Sequence, residues 1–531
     1  MIYLERAKNG SYTCRINGRY LHSRYNPRQE AEKFVDSIRC DFTPLCIIVL
    51  GPCLSYCLPA LRKRFSDIPL YAVQYNRFFI SGTQSSDAAL QLACADEKWD
   101  GVFLCENAAG DIQKAGADLS EKLFFTLGEQ EVFGALFIAW TPAQQIFENE
   151  SRCAWAAIKL LLQKNKDVLA TRGFFARRWL KNSVRFFTFL QNPYQILPGT
   201  KPVLVAASGP SLHSSLPFIQ KHRNAFFVIA VSSALTVLIH KGIYPDLCIT
   251  TDGGFYADYH IRILKILYKK GISVPLAASA ESKINTDLLE HLPIVPLRYG
   301  DGIENLLFDY CGVKGWNGIR NGSVSGTAAY AALSITSAYV FFCGLDLEGA
   351  TGYPHTQPNA LEQTDCCFDN RLRPLATRLS KSAYISLDIY RRWFSTQDSD
   401  FARRIFRISK TPYSAPLGFI TDISWADFEA ANEKNPNAYP PKLQALDKQN
   451  VFENRKKVFA FLTKQKQHIK ENAAYNPKTK EPYSAELHLW YENCAPLEYF
   501  LSLKYPESEK FKAQCTAAVL NTLDELFKLC V

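Results

Sequence analysis

Neither GxGxxG nor GxxxxGKS/T occurs in the 531 residues, so the chain carries no dinucleotide fingerprint and no P-loop. There is no CxxC among the sixteen cysteines; the nearest approaches are Cys53 with Cys57 and the adjacent Cys366 and Cys367. Spacing therefore supports neither a zinc site nor a disulfide framework. Cys46, Cys105, Cys248 and Cys343 stand in apolar surroundings, where a thiol serves as a small buried hydrophobe. The amino terminus, MIYLERAKNG, has no apolar core of a signal peptide, and with reduced thiols this points to the cytoplasm. Glycine and proline show no period, which removes fibrous readings. No long Lys/Arg block exists either. The net charge of +10 is spread along the chain, which suits an anionic substrate, an acidic partner or a merely solvated surface. Nucleic acid is not implied.

What is present is globular: 47% hydrophobic and 21% charged residues, at a length that suggests roughly three domains. From Asn321 to Leu345 no charged residue occurs, long enough in principle to cross a bilayer. Its first part is rich in Ser, Thr and Gly and its second, YVFFCGL, is β-branched and aromatic. A helix feeding a buried strand explains that better than a membrane span.

Residues 1–197 read as an α/β domain with strands at Cys46–Gly51, Pro69–Gln74 and Gly101–Asn107, closed by a helical connector over Glu148–Gln191. LPGTKP then punctuates the chain. Residues 198–375 alternate apolar runs with helical patterns. The runs are Val203–Ala207, Ala225–Val231, Leu247–Asp252, Pro275–Ser279, Ile294–Arg298 and Tyr339–Leu347. This spacing predicts a Rossmann-like parallel sheet with helices on both faces. Residues 376–531 carry apolar positions three and four apart and read as a mostly helical third domain. At a constant offset, IIVLGPCLSYCLPALRKR from Ile47 matches VAASGPSLHSSLPFIQKH from Val205, and Leu70–Val73 falls on Val228–Val231. A diverged copy explains the match; so does the general likeness of any two βαβ units. Cys53 stands where the second copy has Ser211, so the second is the better candidate for chemistry.

Four segments carry that chemistry. SGPSL, Ser208 to Leu212, lies between a strand and a helix. Gly209 permits a close approach, Pro210 fits a first helical turn, and the following amides with the Ser211 hydroxyl form a phosphate site or a capped helix start. TTDGG follows a strand, placing Asp252 at the ligand edge of the sheet. There it is suited to accept from a ribose hydroxyl, orient a base, hold Mg²⁺ through water, or cap a turn. Asp246 in YPDL belongs to a turn. NGSVSGT gathers Asn321, Ser323, Ser325, Gly326 and Thr327 at one helix start, more donors than a cap requires. GLDLEGATGYPH places Asp346, Glu348 and His355 beyond a strand end, with His355 suited to proton transfer.

In this order the residues resemble the motility-associated factor (Maf) family of flagellin glycosyltransferases. The resemblance rests on GPSL (Gly209 to Leu212), SALTVLIHKGIYPDLCITTD (Ser233 to Asp252), GLDLEGATGYPH (Gly344 to His355) and LHSRYNPRQEA near the amino terminus. It implies a central domain similar to a bacterial sialyltransferase fold. It also implies transfer of a nonulosonic acid, pseudaminic or legionaminic in type, from CMP to Ser or Thr of flagellin, without a required metal. Ser208 to Leu212, Asn321, Ser323, Ser325, Gly326, Thr327 and Asp346 would then contact the nucleotide, with His355 and Asp252 catalytic. NGSVSG departs from the sialyltransferase Ser-Ser-Gly helix start by the inserted Val324. The central pattern also resembles the archaeal-type hydroxymethylpterin pyrophosphokinase, in which Asp252 and Asp346 would hold Mg²⁺ and the GPSL amides ATP. A non-catalytic flagellin-binding protein is the third reading.

Overall fold

The computed structural model describes residues 2–80, 98–105, 112–348, 355–366, 370–372, 385–408, 415–431, 437–472 and 484–530. The Gly-containing loop before His355, the end of the strand expected to reach Asn107, Cys367 and the expected boundary at 375 lie outside these residues. The chain divides into two compact units, Met1–Phe174 with Tyr491–Val519, and Phe175–Trp490 with Leu520–Val531.

The first unit opens with an antiparallel meander, β1 (Ile2–Arg6), β2 (Tyr12–Ile16) and β3 (Arg19–Tyr20). A parallel sheet comes next, built from β4 (Cys46–Leu50), β5 (Leu70–Gln74), β6 (Gly101–Leu104) and β7 (Ala135–Ala139), in the order β6-β5-β4-β7. Every residue of β4 and β5 is buried, the mark of strands covered on both faces. The connector is one helix, Glu148–Phe189, and the boundary between the units falls inside it.

In the second unit, β8 (Tyr194–Leu197) leads to β9 (Val203–Ala206), β10 (Phe227–Val231), β11 (Leu247–Thr250), β12 (Leu276–Ser279), β13 (Ile294–Arg298), β14 (Trp316–Asn317) and β15 (Val340–Cys343). Among the described residues the sheet has nine strands, ordered β14-β13-β12-β11-β10-β9-β15-β16-β17. Its parallel pairing runs from β14 through to β17. Its last two members, β16 (Ile405–Ile408) and β17 (Thr421–Ile423), fall in the stretch expected to be a separate helical domain; β18 (Lys442–Ala445) pairs with β8. The later chain is helical, over Val451–Asn472, Ala485–Cys494, Pro496–Lys504 and Glu509–Phe527, but forms no unit of its own. The strand run was hidden by Arg407, which is fully buried on β16 and breaks the apolar pattern. Its guanidinium grips Asp422 of β17 twice at 2.6 Å and reaches the Leu345 carbonyl at 3.4 Å, tying the edge of the sheet to the loop after β15.

The uncharged stretch is a helix, Val324–Ile335, feeding β15. Among the described residues no helix is long and apolar enough to cross a membrane. The sequence match between the halves has a topological counterpart. β6-β5-β4-β7 in the first unit repeats β11-β10-β9-β15 in the second, with the Gly-Pro turn after β4 and β9 respectively.

Candidate active site

In the second unit the chain leaves β9 toward β10 on one side and returns through β15 on the other. The loops after β9 and β15 therefore part at the carboxyl edge of the sheet, where open α/β folds form their ligand crevice. SGPSL and GLDL are those two loops.

They touch through backbone. Gly209 N donates to the Gly344 carbonyl at 2.8 Å. A Cβ on Gly209 would stand 2.5 Å from that carbonyl and 2.7 Å from the Asp346 carboxylate, so no larger residue fits. Asp346 then takes Ser211: its carboxylate accepts from the Ser211 amide at 2.8 Å and from the Ser211 hydroxyl. Ser211 starts the helix Leu212–Lys221 without a side-chain cap bond. Both donors of Ser211 are thus engaged by an internal carboxylate, neither capping the helix nor standing open to a phosphate. Pro210 lies in the turn before the helix, its carbonyl accepting from His213 N.

His355 reaches this turn through its neighbour. Thr356 N donates to the Ser208 carbonyl at 2.8 Å, and the Thr356 hydroxyl donates to the Gly209 carbonyl. Asn359, fully buried, donates to the Ser233 carbonyl after β10, and the Ser233 hydroxyl meets Ser208 Oγ at 2.7 Å. His355 Nδ1 lies 2.7 Å from Glu362 Oε1, which also accepts from the His355 amide at 3.1 Å. Gln357 donates to the second Glu362 oxygen. With Nδ1–H directed to a nearly buried carboxylate, Nε2 is the basic nitrogen of a ring one-third exposed.

Glu362, rather than Asp252, orients the histidine. It sits on the helix Ala360–Cys366, seven residues on, and no local motif announced it. His260, on the helix Ala257–Lys269, was also missed; its ring centroid lies 6.3 Å from that of His355. Burial, then the nearby His355 charge, lowers the His260 pKa to about 4, so this second ring is neutral near pH 7.

Asp252 lies at the start of the loop after β11, exposed, with Oδ1 accepting from Gly254 N at 2.7 Å. Its neighbour is Tyr390, whose hydroxyl is pushed up by burial and then by the Asp252 charge. A Cβ on Gly322 would stand 3.0 Å from the same ring. The residue before Asn321, Arg320, is clamped by Glu281 (2.5 and 3.2 Å) and Asp301 (2.8 Å). Asn321 accepts from Ser323 N at 2.9 Å, and Ser323 caps the helix by accepting from Gly326 N at 3.1 Å. Gly326 is pressed against Asn321, and the Thr327 hydroxyl donates to Ile319. Ser325 makes no side-chain bond among the described residues. Asp246 serves its turn, accepting from Val228 N and pairing with Arg223.

Residues 177–351 match the family model described as 6-hydroxymethylpterin diphosphokinase MptE-like. An uncharacterized protein of Treponema pallidum (strain Nichols) is 29% identical over 294 residues, which is 55% of this chain and 63% of that relative, less than two thirds of its length. Among solved structures, the Maf glycosyltransferase from Magnetospirillum magneticum AMB-1 aligns with 99% of this chain and 90% of its own, with a TM-score of 0.53 and 12% identity. In fold, this chain is Maf glycosyltransferase-like, with an MptE-like region at its centre.

Proposed function

We propose that the chain is a glycosyltransferase that moves a nonulosonic acid, pseudaminic or legionaminic in type, from its CMP-activated form to Ser or Thr of flagellin in the cytoplasm. The observation that carries the reading is the His355–Glu362 pair beside the SGPSL turn, where the sheet order reverses. A carboxylate-oriented imidazole with an outward Nε2 is the equipment for deprotonating a protein hydroxyl.

In this reaction the bond from the anomeric carbon to the CMP phosphate oxygen breaks and a bond to the acceptor oxygen forms. The hydroxyl proton goes to His355 Nε2, and CMP departs with the bonding electrons. The transition state is oxocarbenium-like, so charge grows on the leaving phosphate. The first amides of the helix at Val324 and the Ser325 hydroxyl are the donors for that charge, and Asp252 is an acceptor for a ribose hydroxyl. CMP leaves as a stabilised anion, and the reading needs no metal or other cofactor. Incubating the chain with a CMP-nonulosonate and flagellin, then weighing flagellin intact, tests it. Wild type adds the sugar mass and His355→Ala does not. A His355→Ala protein with full transfer removes the base from this site, and a wild type that adds no mass favours a binding protein.

The family description of residues 177–351 supports a second reading, a Mg-ATP-dependent pyrophosphokinase. Asp252 and Asp346 do not fit a shared ion: Asp346 is committed to Ser211 and Asp252 turns onto Gly254. Titrating CMP against ATP with Mg²⁺ separates the two.

A further inference from the structure

His260 stands against the proposed base and has no task in the mechanism. It sits in the first turn of the helix Ala257–Lys269, which packs against the helix Ala360–Cys366 that carries Glu362. Its ring meets that of His355 at an interplanar angle of 61°, with the centroids 6.3 Å apart. The two nitrogens of the His260 ring have different surroundings. Nδ1 is buried and has no hydrogen-bond partner. Nε2 makes no hydrogen bond among the described residues either, yet the ring is only half-buried and this nitrogen is not enclosed.

A neutral imidazole carries one N–H and one lone pair, so these surroundings place its single proton. On Nδ1 it would be a buried N–H with no acceptor, which folded proteins rarely tolerate. On Nε2 it faces open space and meets water or a ligand. A second proton is opposed for the same reason, since it too must enter at Nδ1, and the His355 ring stands alongside. The lowered pKa of about 4 agrees with this. His260 is therefore a fixed, uncharged donor at the edge of the base.

In the transferase reading, the hydroxyl that gives its proton to His355 attacks the anomeric carbon, so that carbon stands in contact with the hydroxyl beside the base. In a nonulosonic acid it bears two anionic groups, the leaving phosphate and a carboxylate. We propose that His260 is a second substrate-binding histidine, whose Nε2–H donates to an anionic oxygen on the anomeric carbon, from the phosphate or from the carboxylate. This deepens the transferase reading and rests on it. An uncharged donor suits the position, because a lysine or arginine there would oppose the imidazolium that forms on His355. His260 binds the donor sugar; the proton is moved by His355.

Rates of transfer to flagellin, with calorimetric titration of the full chain by CMP, an inert fluorinated CMP-nonulosonate and the carboxyl methyl ester of that analogue, test the assignment. His260→Phe fills the space without a donor and is expected to lower kcat/KM by about 10- to 100-fold. His260→Gln restores an uncharged N–H and is expected to recover most of that loss. With the phosphate as partner, the loss in His260→Phe appears in kcat and in CMP affinity, since charge grows on that group in the transition state. With the carboxylate as partner, it appears in affinity for the acid and spares CMP and the ester. His260→Phe with the wild-type kcat/KM, or His260→Gln no better than His260→Phe, overturns the role of His260 and leaves the transferase reading in place. A wild type that transfers no sugar and binds neither CMP nor the donor overturns both. His260→Leu, close to histidine in volume, makes the same comparison should phenylalanine prevent folding.

Discussion

Replacing Glu362 with glutamine removes one charge and almost no volume, and the surrounding hydrogen bonds determine its effect on His355. Glu362 Oε1 accepts two donors from His355, at 2.7 and 3.1 Å, and its other oxygen accepts from Gln357. A glutamine that keeps its carbonyl toward His355 turns its amide hydrogens onto the Gln357 amide, donor against donor. Gln357 is not free to flip, since its own carbonyl accepts from Asn359 N at 3.3 Å. Flipping the new glutamine instead presents a donor to His355 Nδ1 and moves the ring proton to Nε2, where the base is needed. Either way a charge-assisted hydrogen bond of about 1.5–3 kcal/mol is replaced by a weaker or opposed one. If that bond strengthens as the imidazolium forms, kcat falls by about 10- to 100-fold. Transfer to flagellin followed by intact mass gives kcat, and titration gives CMP affinity, which is expected to stay at the wild-type value. His355→Ala should lose about 100-fold or more. Glu362→Gln with wild-type kcat, and an unchanged melting midpoint, would refute the orienting role.

Single residues elsewhere in the second unit give further outcomes. Glu304 is 1% exposed, one oxygen accepting from Tyr299 N and the other unpartnered, and burial followed by the Glu281 charge pushes its pKa up to about 8. The folded chain keeps a proton that the unfolded chain releases at the ordinary carboxylate value, so stability falls as pH rises through that window and levels above about 8. Urea midpoints at pH 5 and 8 should show this fall, and Glu304→Gln should flatten it; an unchanged slope removes the assignment. Ser323→Ala should cost about 1 kcal/mol as a lost helix cap. Ser325→Ala, with no cap to lose, should weaken CMP binding without moving the melting midpoint, and unchanged CMP affinity in both variants places the phosphate elsewhere.

The strands that sequence reasoning found are those covered on both faces, where apolar residues run without interruption: CIIVL of β4, VLVA of β9 and VFFC of β15 are buried throughout. β16 was missed because a buried arginine interrupts IFRI, and β17 because Thr421 and Asp422 are exposed. The site divides in the same way. SGPSL, Asp346 and His355 were legible because each belongs to a short motif at a strand end. Glu362 and His260 were not, since each meets His355 from a helix whose sequence spacing says nothing of that meeting. The Ser211–Asp346 bond spans 135 positions, a separation no local pattern encodes.

The Gly-Pro turn of the first unit has been filled from within. Its Cys53 amide donates to Gln74 and its Leu54 amide to the buried ring of His22. Both plugs are uncharged side chains, and burial lowers the His22 pKa to about 3. The corresponding turn in the second unit is closed by an aspartate, whose hold depends on its charge. One turn is therefore finished masonry, closed from within by neutral side chains, while its counterpart is fastened across 135 positions by a single carboxylate.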